Sequence, residues 1–135
     1  MLIFVKPHMS QNLEPIFAAL ADHTRLRLLN LVSRGEICVC YFVEILGEAQ
    51  PKISRHLAYL RRVGLVAARR DGKWMHYSLA GQKNPRVARV VEAIIDELRE
   101  DAALRRDLDA LSRACCAVRL PKTLRDAPRP QIAST

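Results

Sequence analysis

Apolar residues recur at Leu13, Ile16, Phe17 and Leu20, the three-and-four spacing of one helix face. Asp22 stands where it can cap a second helix with Leu28, Leu31 and Val32 on one side, and Gly35 marks its end. A short third pattern, Phe42, Ile45 and Leu46, ends at Gly47. A fourth has Pro51 in its first turn, continues through Ile53, Leu57 and Leu60, and ends near Gly64. The middle of the chain therefore predicts helix, tight turn, helix.

After Gly64 the pattern changes. Leu65 to Arg70, the turn signal Asp71-Gly72 and the run Lys73 to Leu79, rich in strand formers, predict a β-hairpin. Asn84-Pro85 then opens a long helix with Val87, Val90, Val91, Ile94, Ile95 and Leu98 on one stripe, continued less cleanly by Leu104, Leu108 and Leu111. Running unbroken from Pro85 to Cys116 it would be about 45 to 50 Å long, more than so small a domain needs, so a bend is expected near Arg99 to Ala102. The expected fold is mainly α with a small β-hairpin: five to six helices plus a two-stranded wing. The domain is expected over 11–116, behind an N-terminal arm over 1–10. The segment 117–135, with Pro121, Pro128 and Pro130, is expected to be a disordered tail.

The chain has 135 residues, half of them apolar and 27% charged, which suits one globular domain. Its net charge of +8 favours a polyanionic partner, and most of the excess is local. From Pro51 to Lys73 the bases Lys52, Arg55, Arg61, Arg62, Arg69, Arg70 and Lys73 face the single acid Asp71. The apolar start Met1 to Val5 is cut short by Lys6, Pro7 and His8, too early for an export signal or a membrane span, so the expectation is a cytoplasmic protein with no membrane partner. Four cysteines stand as two close pairs, Cys38 with Cys40 and Cys115 with Cys116. In a reducing compartment such pairs favour metal or redox chemistry over a disulfide scaffold; scattered buried thiols would have been the plainer alternative.

A helix-turn-helix, a basic second helix and a basic hairpin in that order suggest a winged helix that binds DNA. Opposite the Ile53, Leu57, Leu60 stripe lie Gln50, Lys52, Ser54, Arg55, His56 and Tyr59, donors suited to phosphates and base edges. Arg55 is the candidate base reader, since a guanidinium can grip guanine with two parallel hydrogen bonds; Lys52 and Ser54 suit phosphates. Arg69, Arg70 and Lys73 put charge at the hairpin tip. The competing reading of all these bases is an ordinary solvated surface.

The stretch Gly35-Glu-Ile-Cys-Val-Cys-Tyr, the run Gln50-Pro-Lys-Ile-Ser-Arg-His-Leu and the hairpin Asp71-Gly-Lys-Trp-Met-His-Tyr resemble the ArsR/SmtB family of metal-sensing repressors, in particular its arsenical-resistance branch. The likeness runs from about Leu13 to Leu98. It implies a winged helix-turn-helix homodimer, held by the first and last helices, that binds a palindromic double-stranded operator and leaves it when an inducer binds. The apolar stripes on those helices suit a two-fold dimer. Ala49 departs from the family's pattern, which often has a capping Ser there.

The same resemblance points to As(III), Sb(III) or methylarsenite as inducer, with no cofactor required. The branch's sensor is Cys-Val-Cys followed three residues later by another Cys. Cys38 and Cys40 match two positions, but the third is Val43, which has no ligand atom. Soft trivalent ions prefer thiolates, so the missing ligand is sought at Cys115 or Cys116. Either one of these completes a three-sulfur site, from the same protomer or its partner, or one pair works alone on a species that needs two thiolates. The zinc site that some relatives build on the last helix needs His, and no His follows Pro85. His23, His56 and His76 read as structural or surface residues, and Trp74 and Tyr77 as wing packing.

Two rival readings keep the fold: a thiol redox switch using the same cysteines, and a constitutive DNA-binding protein. An enzyme is not expected. The chain has no Gly-rich phosphate loop, zinc-protease His pair or nucleophile elbow, and Asp96, Glu97 and Glu100 read as a solvated helix face.

Overall fold

The computed structural model of the chain describes residues 7–132. Of the arm expected over 1–10, residues 1–6 lie outside the described residues, and 7–10 already belong to α1 (Pro7–Leu20). The mostly polar run His8 to Asn12 carries no apolar stripe, so periodicity could place the helix only from Leu13. Ile16, Ala19 and Leu20 are buried in the core, whereas Phe17 of the same stripe is 52% exposed.

Asp22 caps α2 (His23–Val32) by accepting the Arg25 N–H at 3.0 Å. After β1 (Ile37–Cys38) come α3 (Val39–Leu46) and α4 (Gln50–Arg62). Gly47, in the left-handed region at φ 67°, ends α3 and permits the tight turn into α4. Ala49 gives α4 no side-chain cap; nearby, Glu48 pairs instead with Lys52 at 3.1 Å. The buried stripes Tyr41, Phe42 and Leu46 of α3 and Ile53, Leu57 and Leu60 of α4 meet in one hydrophobic core.

The wing differs from its expected form in one respect. β2 (Val66–Asp71) and β3 (Trp74–Leu79) form the hairpin, but β1 adds on the far side of β3, giving an antiparallel sheet of order β1-β3-β2. Ile37 pairs with Tyr77 and Cys38 with His76. Two residues are too few to show strand alternation, so nothing in the local pattern marked β1. Tyr77 is buried edge-on against Phe42, with ring centroids 6.3 Å apart, the packing role expected of it.

The long apolar stripe is cut at Asp101, within the span where a bend was expected. The Asp101 N–H closes α5 (Pro85–Glu100) on the Leu98 carbonyl, and its carboxylate accepts the Ala103 and Leu104 N–H groups at 2.9 and 3.1 Å to open α6 (Ala102–Cys116). α6 returns to α2. Arg27 Nε and Nη2 donate to Asp107 at 2.7 and 2.9 Å, and Asn30 Nδ2 donates to the Leu104 carbonyl at 3.0 Å in the interior.

The tail is not the disordered segment expected. Residues 121–127 make a compact turn, with Leu124 N–H on the Pro121 carbonyl and Ala127 N–H on that of Leu124. Leu124 is fully buried, and Ala127 and Pro130 are buried with it. The Thr123 hydroxyl donates to Glu44 at 3.0 Å, and Arg129 donates to the Cys115 carbonyl at 3.2 Å. The backbone also passes close to Gly35, at φ 152°, where a Cβ would stand 2.7 Å from the Gln131 carbonyl oxygen. Proline content suggested disorder, but here the prolines lie in a strap whose Leu124 is buried in the core, with Leu120 and Ile132 packed against it. Among the described residues no helix is long and apolar enough to cross a membrane.

A seated strap makes Leu124→Ala cost about 2–4 kcal/mol of stability, whereas Val118→Ala, at a 96% exposed site, changes it by less than about 0.5 kcal/mol. Urea midpoints measure both; equal midpoints would show the strap unseated.

Candidate nucleic-acid interface and thiol site

The helix-turn-helix presents the outer side of α4 to solvent. Gln50 and Arg55 are exposed, Lys52 and Ser54 half-buried. Arg55 has no carboxylate partner among the described residues, which leaves all its N–H donors available. His56 and Tyr59 are turned differently. Arg25 Nη1 lies 3.2 Å from His56 Nδ1. Asp22 stands 3.9 Å from the same Nδ1. The Tyr59 ring is sandwiched by the guanidiniums of Arg25 at 4.2 Å and Arg62 at 4.9 Å. Both side chains therefore help to fix α4 against the start of α2.

On the wing, Arg69 donates through Nε and Nη2 to both carboxylate oxygens of Glu36, at 3.1 and 2.6 Å. This draws the Glu36 carboxyl below its ordinary range and commits Arg69 to a protein partner. Lys73 Nζ lies 4.9 Å above the Trp74 ring. Arg70 and Lys73 are exposed at the hairpin end.

The thiols lie behind this surface. Cys38 is both the last residue of β1 and the residue before the first turn of α3. It is 1% exposed, Cys40 and Cys115 are half-buried, Cys116 is exposed, and none is in a disulfide. Burial pushes the Cys38 thiol up to about 11. The neighbouring Cys40 sulfur pushes the same way, and the N–H groups of Cys40 and Val39 only partly oppose it. Burial also raises the Cys115 thiol, with Cys116 adding to the effect and the Arg129 guanidinium opposing it.

Tyr41 stands in the buried core that includes Cys38 and against which Cys40 and Cys115 pack. Its hydroxyl is made less acidic first by burial and then by Cys115, with Cys38 and Cys40 adding and Arg129 opposing. Among the described residues no set of three or more His, Cys, Asp or Glu is already arranged to hold a metal ion. His76, paired with Cys38 across the sheet, is buried, and its Nε2 has no partner among the described residues. Sequence reasoning missed Tyr41 and His76 as neighbours of the thiols, because each is an ordinary core residue by spacing.

The fold keeps a proton on Cys38 that the unfolded chain surrenders above about pH 9. The stability this confers is whole below that pH and is lost as pH climbs to about 11. Stability measured by urea unfolding declines less between those limits in Cys38→Ala than in the parent; equal declines would show the thiol is not held in this way.

Residues 22–68 match the family model described as bacterial regulatory protein, arsR family. The chain is 48% identical over 83 residues to the arsenical resistance operon repressor of Escherichia coli, covering 61% of this chain and 68% of that protein. It is 45% identical over 91 residues to an arsenic resistance transcriptional regulator of Pseudomonas putida, covering 65% and 68%. Among solved structures it is similar to a homodimeric winged helix-turn-helix DNA-binding domain of Mycobacterium bovis, with a TM-score of 0.60 and 29% identity over 76% of this chain and 94% of that one. The matched residues span the helix-turn-helix and the start of the wing, and the identity to regulators of known type extends across most of their length. The chain belongs to the arsR family of bacterial transcription regulators.

Proposed function

We propose that this chain is a metalloid-responsive repressor that binds a palindromic operator as a homodimer and lets go when trivalent arsenic or antimony, or a methylated arsenical, is captured by its cysteines. The observation that carries this reading is the position of Cys38. Its sulfur belongs to a residue that ends a strand of the wing sheet and begins the helix leading into α4. Capture of one ion by Cys38 and Cys40 displaces the first turn of α3, and with it both elements that would touch DNA. About 3 kcal/mol of differential affinity between the two poses weakens operator binding more than a hundredfold.

Cys115, from the same protomer or its partner, is the candidate for a third sulfur. Exposed Cys116 is left outside the set. The dimer buries Phe17 of α1 and the half-buried Val90, Ile94 and Leu98 of α5, which the isolated chain leaves uncovered. The protein acts in the cytoplasm, where operator DNA and reduced thiols coexist.

On DNA, Arg55 reads a base edge and Lys52, Ser54, Gln50, Arg70 and Lys73 anchor phosphates. Arg55→Ala then costs about 1–3 kcal/mol and relaxes preference at one base pair per half-site, whereas Lys52→Ala weakens binding to all sequences alike and flattens its salt dependence. Binding isotherms on operator variants at several salt concentrations separate the two outcomes.

Titrating the operator complex with arsenite, antimonite, methylarsenite, zinc and peroxide tests the sensing half. Cys38→Ser and Cys40→Ser abolish release by arsenite, and Cys116→Ser leaves it unchanged. Loss of response in Cys116→Ser alone, or release by peroxide alone, overturns the proposal.

A further inference from the structure

Three guanidiniums come together where the last helix turns back. Arg34 lies just beyond α2, Arg99 in the last turn of α5 and Arg105 on α6; with Leu108, Asp109 and Ser112 they line a hollow of about 220 Å³. A base in the last turn of a helix favours its carbonyl end, which accounts for Arg99 on its own but not for three such groups around one space. Like charges so placed repel, and Asp109 is the one carboxylate among the lining residues. Glu100 meets Arg105 at 3.7 Å, but its side chain is 77% exposed and offsets little. An excess of two positive charges therefore borders the hollow.

Arg99 is the guanidinium with most to gain from a ligand. Its Nε is buried with no hydrogen-bond partner among the described residues, and its Nη2 reaches the Ser33 hydroxyl only at 3.5 Å, longer than an ordinary N–H···O bond. Buried donors are nearly always satisfied. Arg105 is fixed, by contrast: Nε and Nη2 both donate to the Arg99 carbonyl, at 3.3 and 3.2 Å, which ties it to the end of α5 and leaves Nη1 over. Arg34 is only 7% exposed.

Volume and charge select the occupant. Sites for drug-sized organic ligands run to about 300–1,000 Å³, so this hollow suits a small ion. Guanidiniums match phosphate oxygens in pairs of parallel hydrogen bonds, and an excess of two charges suits a dianion better than chloride. The lining acid narrows the choice further. Asp109 repels a fully deprotonated oxyanion such as sulfate but can accept a hydrogen bond from the P–OH of hydrogen phosphate, and the Ser112 hydroxyl can donate or accept.

We propose that this hollow binds inorganic phosphate, as the hydrogen phosphate dianion, through Arg34, Arg99 and Arg105, with Asp109 selecting it over sulfate. Bound there, the ion braces the ends of α2 and α5 to α6 at the bend. The site uses no cysteine and no residue of α4 or the wing, so it stands apart from the proposed operator and metalloid sites.

Thermal unfolding of the whole chain in phosphate, sulfate and chloride, at one pH and one ionic strength, tests this. A ligand that binds only the folded chain raises the melting temperature with a dependence on its own dissociation constant, whereas exclusion of salt from the surface acts for sulfate as for phosphate. The expected result is a rise in phosphate, with at least fivefold more sulfate needed to match it. Arg99→Gln and Arg105→Gln each demand at least tenfold more phosphate, the second at a side chain 57% exposed, so that lost folding does not stand in for lost binding. Asp109→Asn narrows the gap between phosphate and sulfate. Equal rises in phosphate and sulfate overturn the proposal. So does a phosphate effect that survives both arginine variants, or one that disappears in Arg55→Gln instead, which would move the ion to the surface of α4.

Discussion

The paired carboxylate and guanidinium of Asp107 and Arg27 hold the last helix against the body of the protein, and the thiol site depends on that return. Two hydrogen bonds at 2.7 and 2.9 Å join them, with the Asp107 side chain only 9% exposed. Such a pair resists the loss of either member, because the survivor is left charged in a poorly hydrated place. The Arg27 guanidinium is held still more firmly in its charged form, chiefly by the hydrogen bonds it donates to Asp107. Asp101 turns the chain, this pair fixes the register of the returning helix, and Asn30 adds an interior hydrogen bond to the same end of α6. Without that chain of contacts Cys115 would have no reason to pack against the core.

The basic surface is less free than its formal charge suggests. Of the bases between Pro51 and Lys73, Lys52 is paired with Glu48, Arg69 with Glu36, Arg62 stacks on Tyr59 and Lys73 covers Trp74. These are mostly exposed contacts of small individual worth, readily exchanged for phosphates. They still orient the side chains before any ligand arrives. Arg55 stands apart as a long exposed donor on the side of α4 away from the core.

Most of the architecture was legible because amphipathic spacing and caps coincide: Asp22, Gly47, Pro51 and Asn84 each mark a boundary that the structure keeps within a residue or two. The hairpin was legible from Asp71-Gly72, although the two residues left unpaired are Gly72 and Lys73. The illegible parts have physical reasons. β1 is too short for alternation. The strap is anchored by scattered apolar residues, Leu120, Leu124 and Ile132, which follow no helical or strand period and so could not outweigh its prolines. The packing of α6 against α3 depends on a reversal of direction at Asp101, and no local pattern fixes the angle of a turn between helices. Cys115 and Cys116 could be singled out as a pair, but which of them faces inward is set by the rotation of α6 around its buried face of Leu104, Leu108 and Leu111.

Arg25 has a consequence for how such a molecule can move. Its guanidinium reaches the Ala19 carbonyl at the end of α1, the Nδ1 of His56 and the ring of Tyr59 on α4, and it lies near the Asp22 carboxylate. One side chain rivets the helix that would meet a twin subunit to the helix that would enter a groove. Neither can swivel alone. In a dimer built on α1, a shift of the reading helix is therefore passed through this one side chain to the seam, so that the spacing of the two reading heads and the fit of the halves change together.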